Sequence, residues 1–244
     1  MVIRIGVLTP HAATGPEAEF PQMAPGVLSC VARVSAGWKE SQPTATELRA
    51  LTASPLDDAA ATFDGSTVDA IAYASTTSAY AIGFEVEQAL VSRLAERLGT
   101  PVASTCASAV LALHILGAER IALVHPPWFD AEENDLGTAY FQTQGFDVVS
   151  AASADLPHDP RRISTDDLTA WTAGAVSDDT EAVFVGGNGF RATGAIDALE
   201  AELGRPVLTA NQVLLWNLLV EAGAAVEVNG YGRLFAHTRQ PAGR

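Results

Sequence analysis

Asp69-Ala-Ile-Ala-Tyr-Ala-Ser-Thr-Thr-Ser78 is an apolar run that ends abruptly in four small hydroxyl residues. Helical periodicity follows over Glu85–Leu98. This order predicts a buried parallel strand that delivers polar side chains at its carboxyl end. A second stretch has the same plan. It is Glu181-Ala-Val-Phe-Val-Gly-Gly-Asn-Gly-Phe190, followed by a helical pattern over Ala195–Leu203. Two such strand ends facing one another would make a site.

The likeness extends along the chain. Arg4-Ile-Gly-Val-Leu-Thr-Pro10 matches Arg120-Ile-Ala-Leu-Val-His-Pro126. Leu98-Gly-Thr-Pro-Val102 matches Leu203-Gly-Arg-Pro-Val207, so three matches occur in the same order. They predict an α/β fold of two similar parallel-sheet subdomains, related by a pseudo-twofold axis, with the active-site cleft between them. Ligands of such sheets bind beyond the carboxyl ends of the strands. Residues 1–116 would form the first subdomain and 117–207 the second. Residues 208–244 would pack back on the first. In finer detail, Val2–Thr9 and Val27–Val34 read as strands and 10–20 as a loop. Thr46–Phe63, Ala107–Leu116 and Asn211–Ala222 read as helices. The polar segment Ala36–Thr44, with Trp38 and Lys39, reads as a flap over the cleft.

Of 244 residues, 48% are hydrophobic, enough for a substantial core. A formal net charge of −15 argues against nucleic acid or an anionic membrane as partner. It also means that a site for a small anion must supply its own local donors. The two cysteines, Cys30 and Cys106, have neither disulfide nor zinc spacing, which fits a reducing cytoplasm. Cys30, inside an apolar run, reads as a core thiol. Met1–Leu8 carries no secretory pattern, and no apolar run reaches spanning length. A small-molecule partner remains, and a homo-oligomer is compatible with this composition.

Ser75, Thr76, Thr77 and Ser78 sit at a strand-to-helix junction, where backbone N–H groups and hydroxyls can cradle a carboxylate or an enolate. The same hydroxyls would serve equally as helix caps. Gly186-Gly187-Asn188-Gly189 occupies the matching position and tips the balance toward a site. Glycine permits close backbone approach, and Asn188 offers an amide donor. His11 and His125 follow the first strand of each half and are candidate acids or bases near neutral pH. Cys106, at a helix start, is a candidate nucleophile or proton carrier, although a plain buried thiol is the commoner role. Pro10, Pro126, Pro127 and Trp128 would shape apolar walls.

These motifs resemble the Asp/Glu racemase superfamily, particularly its arylmalonate decarboxylase and maleate isomerase branch. The resemblance rests on Gly6-Val-Leu-Thr-Pro10, Ala74-Ser-Thr-Thr77, Pro101-Val-Ala-Ser-Thr105, Leu203–Gln212 with Trp216, and Gly230-Tyr-Gly-Arg-Leu-Phe235. It implies two similar α/β halves, an active site between them, and neither metal nor organic cofactor. Racemases and maleate isomerases of this group carry a cysteine at each strand end, and the decarboxylase keeps the second. Here those positions hold Ser75 and Gly187. Thr76 and Thr77 match the hydroxyl pair that holds a carboxylate and its enediolate. Pro127 stands where the decarboxylase has a tyrosine donor.

The resemblance therefore implies a cofactor-independent lyase, decarboxylase-like, acting on a small mono- or dicarboxylic acid. In it, Ser75, His11 and Asn188 are the candidate catalytic residues. Pro10, Thr76, Thr77, Gly187, Trp128 and His125 are the candidate substrate contacts. An isomerase or racemase working with groups other than cysteine, and a carboxylate-binding protein without catalysis, are the alternatives.

Overall fold

A computed structural model describes residues 2–10, 14–35 and 43–237. One four-stranded sheet contains β1 (Ile3–Thr9), β2 (Val27–Arg33), β3 (Ala70–Tyr73) and β4 (Val102–Ser104) in the order β2-β1-β3-β4. The other contains β5 (Arg120–His125), β6 (Asp147–Ser153), β7 (Ala182–Val185) and β8 (Val207–Thr209) in the order β6-β5-β7-β8. All pairings are parallel. This is the α/β architecture of two similar sheets that the repeat predicts.

The same chemistry starts the central strands of both halves. Asp69 accepts the Arg4 N–H at 2.8 Å, and its own N–H donates to Arg4 O at 2.7 Å. Glu181 accepts the Arg120 N–H at 3.0 Å and donates to Arg120 O at 2.7 Å. An acid at that position satisfies the exposed start of a neighbouring strand, and it sets the register. β3 and β7 are then buried at every residue, as apolar runs without alternation require.

The first half carries α1 (Pro16–Met23), α2 (Ala45–Leu51), α3 (Ser54–Ala61), α4 (Thr76–Ile82), α5 (Phe84–Leu98) and α6 (Thr105–Ile115). The second carries α7 (Ala131–Gln142), α8 (Thr165–Ala175) and α9 (Ile196–Leu203), and α10 (Ala210–Glu221) follows. Every residue of α10 from Ala210 to Leu219 is buried. Leu214, Leu215, Leu218 and Leu219 pack with Ile3, Ile5 and Val7 of β1 and with Ala70 and Ala72 of β3. A helix apolar on all sides is stable only when enclosed, and each such leucine contributes about 2 kcal/mol by burial. Tyr80, Cys106 and Val110 of the first half share a core with Leu123, Phe141 and Phe184 of the second. The two halves are thus joined by packed side chains.

Four expectations change. The segment read as a loop over 10–20 contains most of α1, which starts on Pro16 with Glu17 and Glu19 in its first turn, all favourable at a helix N-terminus. The helix expected over Thr46–Phe63 is two helices, because Pro55 lacks the N–H to continue a helix and instead sits in the first turn of α3. The hydroxyl run after β3 is itself helical, forming α4. Cys30 is exposed on β2, an edge strand, so an apolar neighbourhood in sequence did not make it a core thiol. Trp38, Lys39 and most of the flap lie outside the described residues.

Candidate active site

The strand ends of both halves converge. Asn188, just after β7, points its side-chain oxygen at the tip of β3. Asn188 Oδ1 accepts from the Thr76 N–H at 3.2 Å and from the Thr76 hydroxyl at 3.2 Å. The Thr105 hydroxyl, after β4, lies 3.3 Å from the same oxygen. The Gly187 N–H donates to Thr76 Oγ1 at 3.1 Å. Thr76 and Asn188 are 1% and 2% exposed, so this is a closed contact across the interface.

The donors converge on Oδ1 because the other end of the amide is held elsewhere. Asn188 Nδ2 donates to Asn211 Oδ1 at 2.9 Å and to Thr105 Oγ1 at 3.0 Å. The amide donor expected at Asn188 is therefore turned away from Thr76, and its carbonyl oxygen fills the cradle. Chemically, an amide oxygen offers these donors the same kind of acceptor as one oxygen of a carboxylate. Thr77 Oγ1 is buried and has no hydrogen-bond partner among the described residues. It is a spare donor one residue along.

Ser75 has a different job. Its hydroxyl donates to Ser78 Oγ at 2.7 Å and accepts the Ser78 N–H at 3.3 Å, capping α4. The structure gives it a cap's bonding and no contact with Asn188. His125 is fully buried. Its Nε2 accepts from the Tyr80 hydroxyl at 3.0 Å, and its Nδ1 donates to Asn134 Oδ1 at 2.5 Å. Tyr80 and Asn134 come from different halves. Burial pushes the His125 pKa down to about 4, against the opposing Asn134 bond. At neutral pH it is an uncharged histidine with both nitrogens engaged. It stands behind the tip, since a Cβ on Gly186 would meet both His125 Cδ2 at 3.0 Å and Thr76 Cγ2 at 3.4 Å.

Cys106 is buried, and its thiol donates toward Thr76 O at 3.7 Å. Burial first, then the nearby Glu87 carboxylate, raises its pKa well above the ordinary value, so a thiolate is disfavoured. Trp128 is partly buried and meets the Phe190 ring edge-to-face at 5.8 Å, a wall contact beside the Gly187 loop. Pro10 is partly buried at the end of β1. His11 lies outside the described residues.

Two glycines make the convergence sterically feasible. Gly187 has φ +84°, and a Cβ there would lie 2.4 Å from Pro126 Cγ. A Cβ on Gly15 would lie 2.3 Å from the Asn188 carbonyl oxygen. The loop after β1 is therefore pressed directly on the loop after β7. Next to these loops, Thr14, Asp159, Pro160, Arg161 and Arg191 line a cavity of about 400 Å³. Arg161 there is paired with Asp159 at 2.8 Å, and Arg191 adds a further positive charge.

Thr105, Asn211, Glu19 and Gly15 are not among the candidate site residues read from the sequence. Thr105 and Asn211 carried a usable signal: they follow β4 and β8, which the repeat places at equivalent ends. Among the described residues, no group of three or more His, Cys, Asp or Glu side chains is placed to hold a metal. No described helix is long and apolar enough to cross a membrane.

Known proteins share this fold. The crystal structure of arylmalonate decarboxylase superposes with a TM-score of 0.83 at 20% identity, covering 96% of this chain and 99% of that one. A maleate cis-trans isomerase from Nocardia farcinica, with a covalently bound succinylcysteine intermediate, superposes with a TM-score of 0.77 at 21% identity, over 93% and 96% of the two chains. A maleate isomerase from Pseudomonas putida KT2440 is 25% identical over 96% of this chain and 97% of its own. The family model of arylmalonate decarboxylase matches residues 5–235, and the chain belongs to that family of enzymes.

Proposed function

We propose that the protein is a cofactor-independent lyase that removes CO2 from a small carboxylic acid of the malonate type through an enediolate. One observation carries this reading: the donors of Thr76 and Thr105 converge on a single oxygen that belongs to the opposite half. A substrate carboxylate entering in place of Asn188 Oδ1 would meet the same donors, with Thr77 Oγ1 in reserve. When the second carboxyl leaves as CO2, the carbon–carbon bonding pair moves onto the retained carboxyl group. Its oxygens then carry the added charge, and preorganised donors in a water-poor site stabilise it. A proton added to the carbon completes the reaction. Water is its simplest source, because His125 and Cys106 are buried with their polar atoms already bonded.

The missing thiols favour lyase over isomerase chemistry. The Nocardia farcinica isomerase is captured as a cysteine adduct. Such an adduct needs a nucleophile at the strand end, where this chain has Ser75 and Gly187. Ser75 is bonded as a cap, and glycine has no nucleophile.

Incubation with phenylmalonate and with alkylmalonates, following CO2 release, tests the reading. Turnover that disappears in Thr76→Ala is expected. Maleate-to-fumarate conversion without CO2 release, or turnover indifferent to Thr76→Ala, would count against it.

A further inference from the structure

Thr14, Asp159, Pro160, Arg161 and Arg191 line a cavity of about 400 Å³ that the chemistry above does not use. They belong to three segments, each of which leaves the carboxyl end of a strand. Thr14 follows β1, Asp159–Arg161 follow β6, and Arg191 follows β7. Ligands of parallel α/β sheets bind on that side. Two of these segments are also the loops of the site described above. Thr14 precedes the Gly15 that is pressed on Asn188. The Phe190 N–H donates to Gly187 O at 3.0 Å, closing the turn that carries Asn188, and Arg191 comes next.

The charged residues of the cavity are not equivalent. Arg161 Nε donates to Asp159 Oδ1 at 2.9 Å and Arg161 Nη2 to Asp159 Oδ2 at 2.8 Å, so these two charges cancel. The Arg161 bonds hold the Asp159 carboxyl down at about 2, and it stays ionised at neutral pH. Arg191 has no ion pair among the described residues. Its Nη2 reaches the Pro160 carbonyl oxygen at 3.5 Å. The cavity therefore carries one uncompensated positive charge, on Arg191.

The backbone holds Arg191 in an uncommon conformation. Its φ is +56°, the left-handed region that non-glycine residues seldom adopt. Both flanks are anchored. Phe190 is buried and meets Trp128 edge-to-face. Thr193 is buried too, and its N–H and hydroxyl donate to the buried Glu19 carboxylate at 2.9 and 2.6 Å. Backbone strain that the surroundings over-determine is a recurrent feature of ligand sites.

We propose that the cavity is a second anion subsite, in which the Arg191 guanidinium forms a forked pair with a carboxylate at the far end of the substrate. The fork matches the two oxygens of a carboxylate, and one net positive charge suits that monoanion better than a phosphate dianion. The inference rests on the reading of the Thr76 tip as the site of the reacting carboxyl group, and it narrows the substrate class. The substrate is a malonate whose α-substituent ends in a further carboxyl group, and loss of CO2 leaves a linear dicarboxylate. On a chain of net charge −15, Arg191 supplies the local attraction that such a polyanion needs.

Calorimetric titration with glutarate, adipate and pimelate, and with the linear monocarboxylates of the same lengths, tests this. The proteins compared are the wild type, Arg191→Asn, Arg191→Lys and Thr76→Ala. At least one dicarboxylate is expected to bind the wild type about tenfold or more tightly than its monocarboxylate counterpart. Arg191→Asn, which tolerates the left-handed backbone, is expected to erase that gap, and Arg191→Lys to keep part of it. Thr76→Ala is expected to weaken both kinds of acid and preserve the gap. No gap in the wild type, or an equal gap in Arg191→Asn, overturns the subsite and leaves the Thr76 tip standing. A gap lost in Arg191→Asn with binding indifferent to Thr76→Ala supports the subsite and sinks the reading of the tip. No binding of any of these acids sinks both. Should Arg191→Asn not fold, Arg191→Gly takes its place, with the same outcomes deciding.

Discussion

Gly187 and Pro126 touch so closely that no side chain fits between them. A Cβ on Gly187 would lie 2.4 Å from Pro126 Cγ and 3.0 Å from its Cδ. Position 187 is thus closed to a cysteine side chain by the neighbouring loop. The backbone adds to this, since φ +84° is a conformation that L side chains rarely adopt.

Gly187→Cys should accordingly destabilise the protein by about 2–5 kcal/mol, from overpacking plus backbone strain. Pro126→Ala in the same chain should recover part of that, because it removes the colliding Cγ and Cδ. Denaturant unfolding of the single and double variants measures both. A Gly187→Cys protein as stable as the wild type would mean that the two loops are not packed as described.

Thr76 and Ser75 are adjacent but bonded to different partners, Thr76 to Asn188 of the other half and Ser75 to Ser78 of its own helix. Thr76→Ala removes a hydroxyl that bonds Asn188 and Gly187 across the interface. It should lower kcat for any CO2 release found by about 10²–10³-fold, the usual effect of one lost oxyanion donor. Ser75→Ala removes a helix cap and should act on stability first, by about 1 kcal/mol. Parallel kinetic and melting measurements separate the two roles. The reverse assignment, with Ser75→Ala the more damaging to kcat, would restore Ser75 as a catalytic group.

The buried His125 should make the fold acid-sensitive. Its folded pKa is lowered to about 4, while the unfolded chain titrates near the ordinary histidine value of 6.5. As pH falls below that value the unfolded state takes up a proton that the folded state refuses, so stability falls with pH across this window. The loss approaches about 3 kcal/mol by pH 4, and above the unfolded value the group contributes no slope. Glu19 and Glu87 have raised pKa values from burial and act in the opposite sense on acidification. Comparing the pH–stability profiles of the wild type and His125→Gln isolates the histidine. Superimposable profile shapes between pH 4 and 7 would show that His125 does not titrate as described.

Gly15 is needed for proximity. Its φ of −137° is not the left-handed value that calls for glycine, yet a methyl group there would lie 2.3 Å from the Asn188 carbonyl oxygen. Gly15→Ala should displace the Asn188 loop, costing about 1–3 kcal/mol of stability and weakening carboxylate binding together. Melting and titration with succinate check both effects. Unchanged affinity in a destabilised Gly15→Ala protein would uncouple the β1 loop from the site.

Much of this architecture is legible without coordinates because it is repeated. Asp69 and Glu181 start equivalent strands, and the apolar runs after them are too short and too uniformly buried to be anything but parallel strands. The Ser75–Ser78 run and the Gly186–Gly189 run could be placed at facing strand ends for the same reason. Their chemistry was less legible. Four hydroxyls in a row look alike in sequence, but one caps a helix, one bridges the halves and one lacks a partner.

The amino-acid order by itself determined two duplicated parallel sheets and the pair of polar strand ends, because periodicity and repetition are local properties. Tertiary structure alone decided which end of the Asn188 amide faces Thr76. That choice follows from the bonds Asn188 makes to Asn211, which holds the other end of the amide, and these groups are far from Thr76 in the chain. Hydrogen-bond polarity passes along contacts in space, and a linear sequence does not record those contacts.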